Sequence, residues 1–388
     1  MFDQNSINLL VLKERAYNLR WATVPEDVIP LTAADPDFKS APEIAEAIAN
    51  YASDRYLCYG PPQGLPAFRE SVAKFYQKKR EVPASPDYVM AVDSAAFGIF
   101  LTCRAFLKKG DEAIIFDPVD FLFRYSVEAC EAKAVTLPIA PGESFDAARL
   151  EKLLTDKTKM ICLCNPLNPT GKVFTRDELQ AMGEIAVKHN LVILSDEIWS
   201  DIVFTPHVYT SIAALDESIR NHTVIVTGYS KSYGLAGLRI GSVVATNEAH
   251  FEKLFETSRH NSTVHGANVL GQVAATTALN KCERWLSDFV EHLQVVRDLC
   301  VKELNEMKGV SCMAPEGCYV AFADIRGTGL SAAQMQELLM EKARVAVVPG
   351  SARWFGQGAE GYIRLSFATS EDILTEALSR IKNTINAI

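Results

Sequence analysis

The stretch Ser230-Lys231-Ser232-Tyr233-Gly234-Leu235-Ala236-Gly237-Leu238-Arg239-Ile240-Gly241 governs how the rest of the chain is read. It follows Thr223-Val224-Ile225-Val226-Thr227, an apolar, β-branched run that predicts a buried strand. A lysine just past such a strand sits at the mouth of a sheet, partly stripped of water. Desolvation and neighbouring cations disfavour its ammonium form, so the amine becomes a usable nucleophile. Ser230 and Arg239 bracket it with donors suited to an anion. A nucleophilic amine beside an anion clamp suits a phosphorylated aldehyde held as a Schiff base, and pyridoxal 5'-phosphate (PLP) meets that description. Singly these features are ordinary: most lysines are solvated, and glycines at 234, 237 and 241 can simply shape a turn. Their joint occurrence carries the reading.

The chain has 388 residues, 48% hydrophobic and 22% charged. That balance is ordinary for a globular protein, and the length predicts one large and one small domain. A net charge of -9 argues against nucleic acid and anionic membrane as partners, since both reward basic patches. No apolar run is long enough to span a bilayer. Met1-Phe2-Asp3-Gln4-Asn5 lacks the basic-then-apolar layout of a secretory leader. Nine cysteines are scattered, and Cys162 and Cys164 alternate inside an apolar run as core thiols. No Cys-x-x-Cys or His-Glu-x-x-His pattern marks a metal site, so no metal is expected. A reducing cytoplasm is the expected compartment.

Short runs rich in Val and Ile predict strands at 88–92, 113–116, 160–164, 191–194, 223–226 and 242–245. They are apolar on both faces, as a sheet covered on both sides requires. Helix-like segments lie between them. One spans 175–189, opened by Thr175 with Glu178 three positions later as a capping box, and another is joined to its strand by Asp93–Gly98, runs to Lys109 and stops at Gly110. Alternating strands and helices predict an α/β domain, whose ligands bind beyond the carboxyl ends of the strands. From about residue 280 the pattern changes to a long helix (285–307), short strands (318–323 and 345–348) and a final helix (371–385). We expect a large domain over 46–279 and a small α+β domain formed by 1–45 and 280–388.

The remaining candidate residues nearly all follow a predicted strand. Asn165-Pro166-Leu167-Asn168-Pro169-Thr170-Gly171 is a rigid loop that can aim the Asn168 amide at a ligand oxygen. Asp196 and Glu197 follow another strand. A buried carboxylate there can keep the pyridine nitrogen of PLP protonated, and the shorter Asp196 suits that role better. Ser94-Ala95-Ala96-Phe97-Gly98 opens a helix whose first N–H groups favour an anion such as phosphate, although tight helix–sheet packing explains small residues nearly as well. Arg364, in Gly361-Tyr362-Ile363-Arg364-Leu365-Ser366-Phe367, lies among apolar residues and can bind a carboxylate through two donors; a structural ion pair is the alternative.

At these positions the chain resembles the class I/II aminotransferases, the fold-type-I PLP enzymes. The resemblance runs from Leu31-Thr32-Ala33-Ala34-Asp35-Pro36-Asp37-Phe38 to Gly361-Tyr362-Ile363-Arg364. It implies an α/β fold with a large domain around a mostly parallel sheet, a smaller α+β domain, and a homodimer with active sites at the subunit interface. Lys231 looks like the Schiff-base lysine. Ser230 and Arg239 look like phosphate ligands, with Ala95, Ala96 and Phe97 at the helix start. Asn168 matches the contact to the cofactor's phenolic oxygen, Asp196 the pyridine-nitrogen partner, and Arg364 the clamp on the substrate α-carboxylate, with the Ala34 backbone nearby. Tyr59 matches a tyrosine that reaches the neighbouring subunit's phosphate.

Three positions depart from the family pattern. Trp199 stands where a tyrosine is usual, and an indole cannot ionise like a phenol. Asp120 falls where an aromatic usually stacks on the pyridine ring, with Phe121 adjacent. Phe97 replaces a residue that is often polar, so only its backbone N–H is available to the phosphate. The implied activity is a ping-pong transfer of the amino group from an α-amino acid to a 2-oxo acid, with Arg364 and Asn168 holding the substrate carboxylate and Lys231 moving the Cα proton. Ala34-Asp35-Pro36-Asp37-Phe38 and Ser195-Asp196-Glu197-Ile198 also resemble the cystathionine β-lyase-like C–S lyases, which makes β-elimination the alternative. A non-catalytic PLP-binding regulatory module is a third.

Overall fold

Strands that are apolar on both faces must be covered on both faces, and the chain meets that demand with one large sheet. The computed structural model describes residues 2–387. After a short first strand, β1 (Ile29–Pro30), the next seven form that sheet: β2 (Val89–Val92), β3 (Glu112–Asp117), β4 (Lys133–Pro138), β5 (Thr158–Cys164), β6 (Val192–Asp196), β7 (Thr223–Gly228) and β8 (Gly241–Ala245). Their order is β2-β8-β7-β6-β5-β3-β4. All run parallel except β8, which is antiparallel to both its neighbours.

Alternate side chains of a strand point to opposite faces. Met90, Val92, Val224, Val226 and Val243 accordingly enter one core, together with Ile99, Leu179 and Met182 from helices 95–106 and 176–188. Ile225, Val244, Val89 and Ala91 enter the other, together with Phe68, Ala274 and Phe289 from helices 66–79, 269–281 and 283–305. The predicted capping box is formed: Thr175 and Glu178 satisfy each other's backbone N–H groups at the start of Arg176–Lys188.

A second sheet is built from β9 (Ser311–Cys312), β10 (Val320–Asp324), β12 (Val348–Pro349) and β13 (Tyr362–Ser366), in the antiparallel order β12-β13-β10-β9. The intervening β11 (Val345–Ala346) pairs instead with β1, in parallel. The expected single strand at 345–348 is therefore two strands in different sheets. Other limits also move. The helix from Ala95 ends at Phe106 rather than Lys109, because Leu107 turns extended (φ -108°, ψ 145°) and the Lys108 N–H goes to the Asp111 carboxylate at 2.8 Å. The long helix is Glu283–Asn305, and the final one Glu371–Asn386. β4 was not expected. It is an edge strand with only Leu137 fully buried, so it lacks a continuous apolar run. No helix among the described residues is long and apolar enough to cross a membrane.

The segment joining the N-terminus to β1 is fixed by a buried ion pair between Arg20 and Asp37. The Trp21 Nε1–H donates to the same Asp37 oxygen at 2.7 Å, and Arg20 also donates to the Pro30 carbonyl at 2.8 Å. This clip sets the backbone from Asn18 to Asp35, which walls the cavity described below. Asp37→Ala strands a buried guanidinium, a change that typically costs about 3–5 kcal/mol. The expected result is a clear fall in the urea or thermal midpoint; an unchanged midpoint would show that the pair does not hold this segment.

Candidate active site

β5, β6 and β7 deliver Cys164, Asp196 and Gly228 to one edge of the large sheet, the carboxyl end where α/β folds bind ligands. A cavity of about 590 Å³ opens there, a size suited to a cofactor and a small substrate. Its walls come from the loops after these strands, from the start of helix 95–106, from the Ala33–Asp35 backbone and from the second sheet through Val348 and Arg364. Of the residues expected from sequence, Ala34, Ala95, Ala96, Asn168, Asp196, Trp199, Ser230, Lys231, Arg239 and Arg364 all line it.

The loop between β7 and β8 carries Lys231. Its Nζ donates to the Ala34 carbonyl at 2.6 Å and lies 5.4 Å from the centre of the Trp199 ring. Burial pushes its pKa below the ordinary lysine value. Arg364 adds to that push, while the charges of Asp35 and Asp120 oppose it. The Ala34 carbonyl also accepts from the Tyr319 hydroxyl at 2.9 Å, and Tyr319 meets Trp199 edge to face at 4.6 Å. Arg239 closes the loop in the left-handed region (φ +48°), a strained conformation for a side-chain-bearing residue. Gly241 follows because a Cβ there would lie 2.8 Å from the Ala95 nitrogen. This close approach puts the Ser94–Ala96 turn beside Ser230 and Arg239.

Ser94 caps the helix that begins at Ala95 by accepting the Phe97 N–H at 3.1 Å. The N–H groups of Ala95 and Ala96 have no partner among the described residues and remain available to an anion. The Phe97 N–H is already engaged, and Phe97 does not line the cavity.

Asp196 ends β6, buried at the cavity wall. One of its oxygens accepts the Ile198 N–H at 3.1 Å, and no basic side chain pairs with it among the described residues. Burial, helped by the charges of Asp120 and Glu197, pushes its pKa up to about 7. Glu197 turns away from the cavity to accept the hydroxyls of Ser195 at 3.1 Å and Ser211 at 2.6 Å.

Arg364, on β13, is buried. Its Nη1 donates to Asn168 Oδ1 at 3.1 Å and its Nη2 to the Thr32 carbonyl at 3.1 Å, and Nε has no partner. Its guanidinium carbon sits 5.0 Å from the Phe355 ring centre. Asn168 Nδ2 donates to Asp120 Oδ2 at 2.9 Å. Asp120 thus occupies the wall where an aromatic was expected, and its other oxygen accepts the Leu122 N–H at 3.2 Å to cap the helix Phe121–Glu128. Phe121 lines the cavity beside it, edge to face with Trp354 at 5.5 Å.

Trp354 and Phe355 were missed in the sequence. The adjacent aromatic pair in a loop before Gly356 was the available signal. Tyr59 lies outside the cavity, 90% exposed, with its ring against His265 at 5.6 Å.

The family model described as aminotransferase class I and II matches residues 26–381. An aspartate aminotransferase of Pyrococcus abyssi is 34% identical over 93% of this chain and 92% of its own length. The crystal structure of an aromatic aminotransferase from Pyrococcus horikoshii superimposes with a TM-score of 0.87 at 32% identity, covering 94% of this chain and 97% of that one. Cystalysin from Treponema denticola, in a structure containing pyridoxal 5'-phosphate, has a TM-score of 0.91 over 100% of this chain and 99% of its own. At 24% identity that likeness is one of fold alone. With its family model matched over most of its length and its strands arranged as in solved aminotransferases, the chain belongs to the class I and II aminotransferases.

Proposed function

We propose that this aminotransferase binds PLP in the 590 Å³ cavity and takes its amino acid at Arg364. The observation that carries the assignment is one of unmet charge. A buried carboxylate (Asp196), a desolvated amine (Lys231) and a buried guanidinium (Arg364) face the same space, and none has an ion-pair partner among the described residues. Buried charges are otherwise paired, so the site fits a ligand that brings the opposite charges. PLP, when bound, supplies an aldehyde carbon for the substrate amine and a ring that draws electrons from the substrate Cα.

Ser230, Arg239 and the free N–H groups of Ala95 and Ala96 would hold the phosphate. Asp196 would hold a proton on the ring nitrogen. Asn168 would orient the ring's oxygen side while keeping Arg364 in place. Arg364 would clamp the α-carboxylate, beside the Thr32–Ala34 backbone. Lys231, whose amine burial keeps ready to lose its proton, would remove the Cα proton and return it two bonds away, to the carbon that the cofactor's aldehyde supplies. Trp199 packs under that amine without an acidic hydroxyl to offer.

The C–S lyase alternative is not favoured, because relatives at 34% identity carry aminotransferase names. With a single amino acid and no oxo acid, the enzyme should stop after one equivalent of oxo acid per site. Continuous release of ammonia would identify a lyase instead.

Tyr56, Leu57 and Tyr59 form an exposed apolar run, 77%, 65% and 90% accessible, which supports a homodimer in which Tyr59 completes the partner's phosphate site. The β1–β11 pairing supports a small domain of residues 1–45 and 280–388 beside a large one of 46–279. Nine free cysteines support a cytoplasmic location.

Lys231→Ala should abolish steady-state turnover and the yellow absorption of the bound cofactor. In the unmodified enzyme, borohydride should fix the cofactor on Lys231, and a label elsewhere would refute the assignment. Arg364→Ala should weaken amino-acid binding about tenfold to a hundredfold, the scale of one or two charged hydrogen bonds, and an unchanged KM would count against the clamp. In the cofactor-free protein, the folded chain keeps the Asp196 proton up to about pH 7, whereas an unfolded aspartate loses it near 3.8. Asp196 therefore lowers stability as pH rises from about 4 to about 7, by a few kcal/mol in order of magnitude. Urea midpoints across that range should show a shallower decline for Asp196→Asn than for the unmodified chain; parallel declines would exclude this origin.

A further inference from the structure

The loop that carries Lys231 has few ties at the lysine itself. Residues 230–232 make no backbone hydrogen bond within the chain among the described residues. Two side-chain bonds hold them. Lys231 Nζ donates to the Ala34 carbonyl at 2.6 Å, and the Ser232 hydroxyl donates to Asp201 Oδ2 at 2.7 Å. The first is made by the working amine, so it cannot steady that amine while it moves a proton. The second is made one residue along the backbone by a buried side chain. Neither Ser232 nor Asp201 lines the cavity.

Asp201 has a firm footing. Its other oxygen pairs with Arg80, and both side chains are largely buried. The Arg80 guanidinium carbon lies 4.9 Å from the ring centres of both Phe75 and Tyr209, and the same group donates to Ser200 Oγ at 3.3 Å. Arg80 directly follows helix 66–79, whose Phe68, Val72 and Tyr76 are buried in the core. Asp201 also belongs to the stitched turn after β6. There the Ile198 N–H donates to Asp196 at 3.1 Å, the Ser200 N–H to the Glu197 carbonyl at 3.0 Å and the Ile202 N–H to the Trp199 carbonyl at 2.9 Å. One turn therefore meets the lysine loop twice: the Trp199 ring lies 5.4 Å from Nζ, and Asp201 holds the next residue's hydroxyl. A charge-assisted bond from a carboxylate that is itself fixed is a strong and directional tether.

We propose that Asp201 is a positioning residue for Lys231, acting through the Ser232 hydroxyl to fix the lysine loop on the turn that carries Asp196 and Trp199. This rests on the assignment of Lys231 as the residue that bears the cofactor and moves the Cα proton.

Ser232→Ala cuts the tether while leaving the Arg80–Asp201 pair intact. It should lower kcat about tenfold to a hundredfold, the scale of a displaced catalytic group, with KM for the amino acid unchanged. After the cofactor is removed, the variant should also regain the yellow absorption more slowly than the unmodified chain when PLP is added back, because the same amine must reach the aldehyde. Ser232→Thr, which keeps the hydroxyl, should restore both. Asp201→Ala should show the same kcat loss, and the double variant no further loss, since both changes remove one bond. An unchanged kcat and uptake rate in Ser232→Ala overturns the proposal whether or not Asp201→Ala folds, and so do losses that multiply in the double variant. If borohydride fixes the cofactor of the unmodified enzyme elsewhere than on Lys231, the underlying assignment falls and this one with it. If the label is on Lys231 and Ser232→Ala behaves as the unmodified enzyme, only the positioning role falls.

Discussion

One side-chain amide holds the site open. Asn168 stands between Arg364 on the second sheet and Asp120 in the loop after β3 of the large one, accepting from the first and donating to the second. Had the two charges met directly, each would have satisfied the other, and the guanidinium would have little left to offer a ligand. The neutral bridge lets Arg364 keep a hydrogen bond while its charge stays uncompensated, and the same contact ties the loop after β5 to β13. The Arg20–Asp37 clip completes this arrangement by positioning the Thr32 and Ala34 carbonyls that accept from Arg364 and Lys231.

Burial does most of the electrostatic work around this bridge. It drives Asp196 up toward neutrality and Lys231 down toward neutrality, in both cases against the usual preference of the side chain. Each shift means that the folded chain carries a group it would ionise more readily when unfolded. Such tension is typical of sites that wait for a charged ligand, and the left-handed backbone at Arg239 adds to it. Stability has been given up locally so that the cavity can bind.

The lysine loop, the Asn-Pro loop, Asp196 and the helix start were legible in sequence, because each sits at the end of a strand of continuous apolar character, and Arg364 was legible as a lone charge among apolar residues. What escaped depended on pairing or on side-chain direction. β4 has one unpaired edge and exposed side chains, so its pattern does not announce a strand. Residues 345–348 are uniformly apolar, and nothing local reveals that β11 and β12 part into separate sheets. The engagement of the Phe97 N–H by Ser94 follows from cap geometry that a motif does not specify. Asp120 was visible as a departure, but its bond to Asn168 spans loops after two different strands and appears only in the fold.

The reversal of β8 has a consequence for how the site holds together. Gly228 and Gly241 are directly opposed in the β7–β8 ladder, so residues 229–240 form a closed bow with both feet planted in the same pair of strands. Lys231 rises beside one foot and Arg239 beside the other. A parallel successor to β7 would have needed a crossover back to the far edge of the sheet, with its first residue about 17 Å away for a five-residue strand. The hairpin instead places nucleophile and anion anchor on one connection with both ends in the same pair of strands, so their spacing does not depend on how the second sheet sits against the large one.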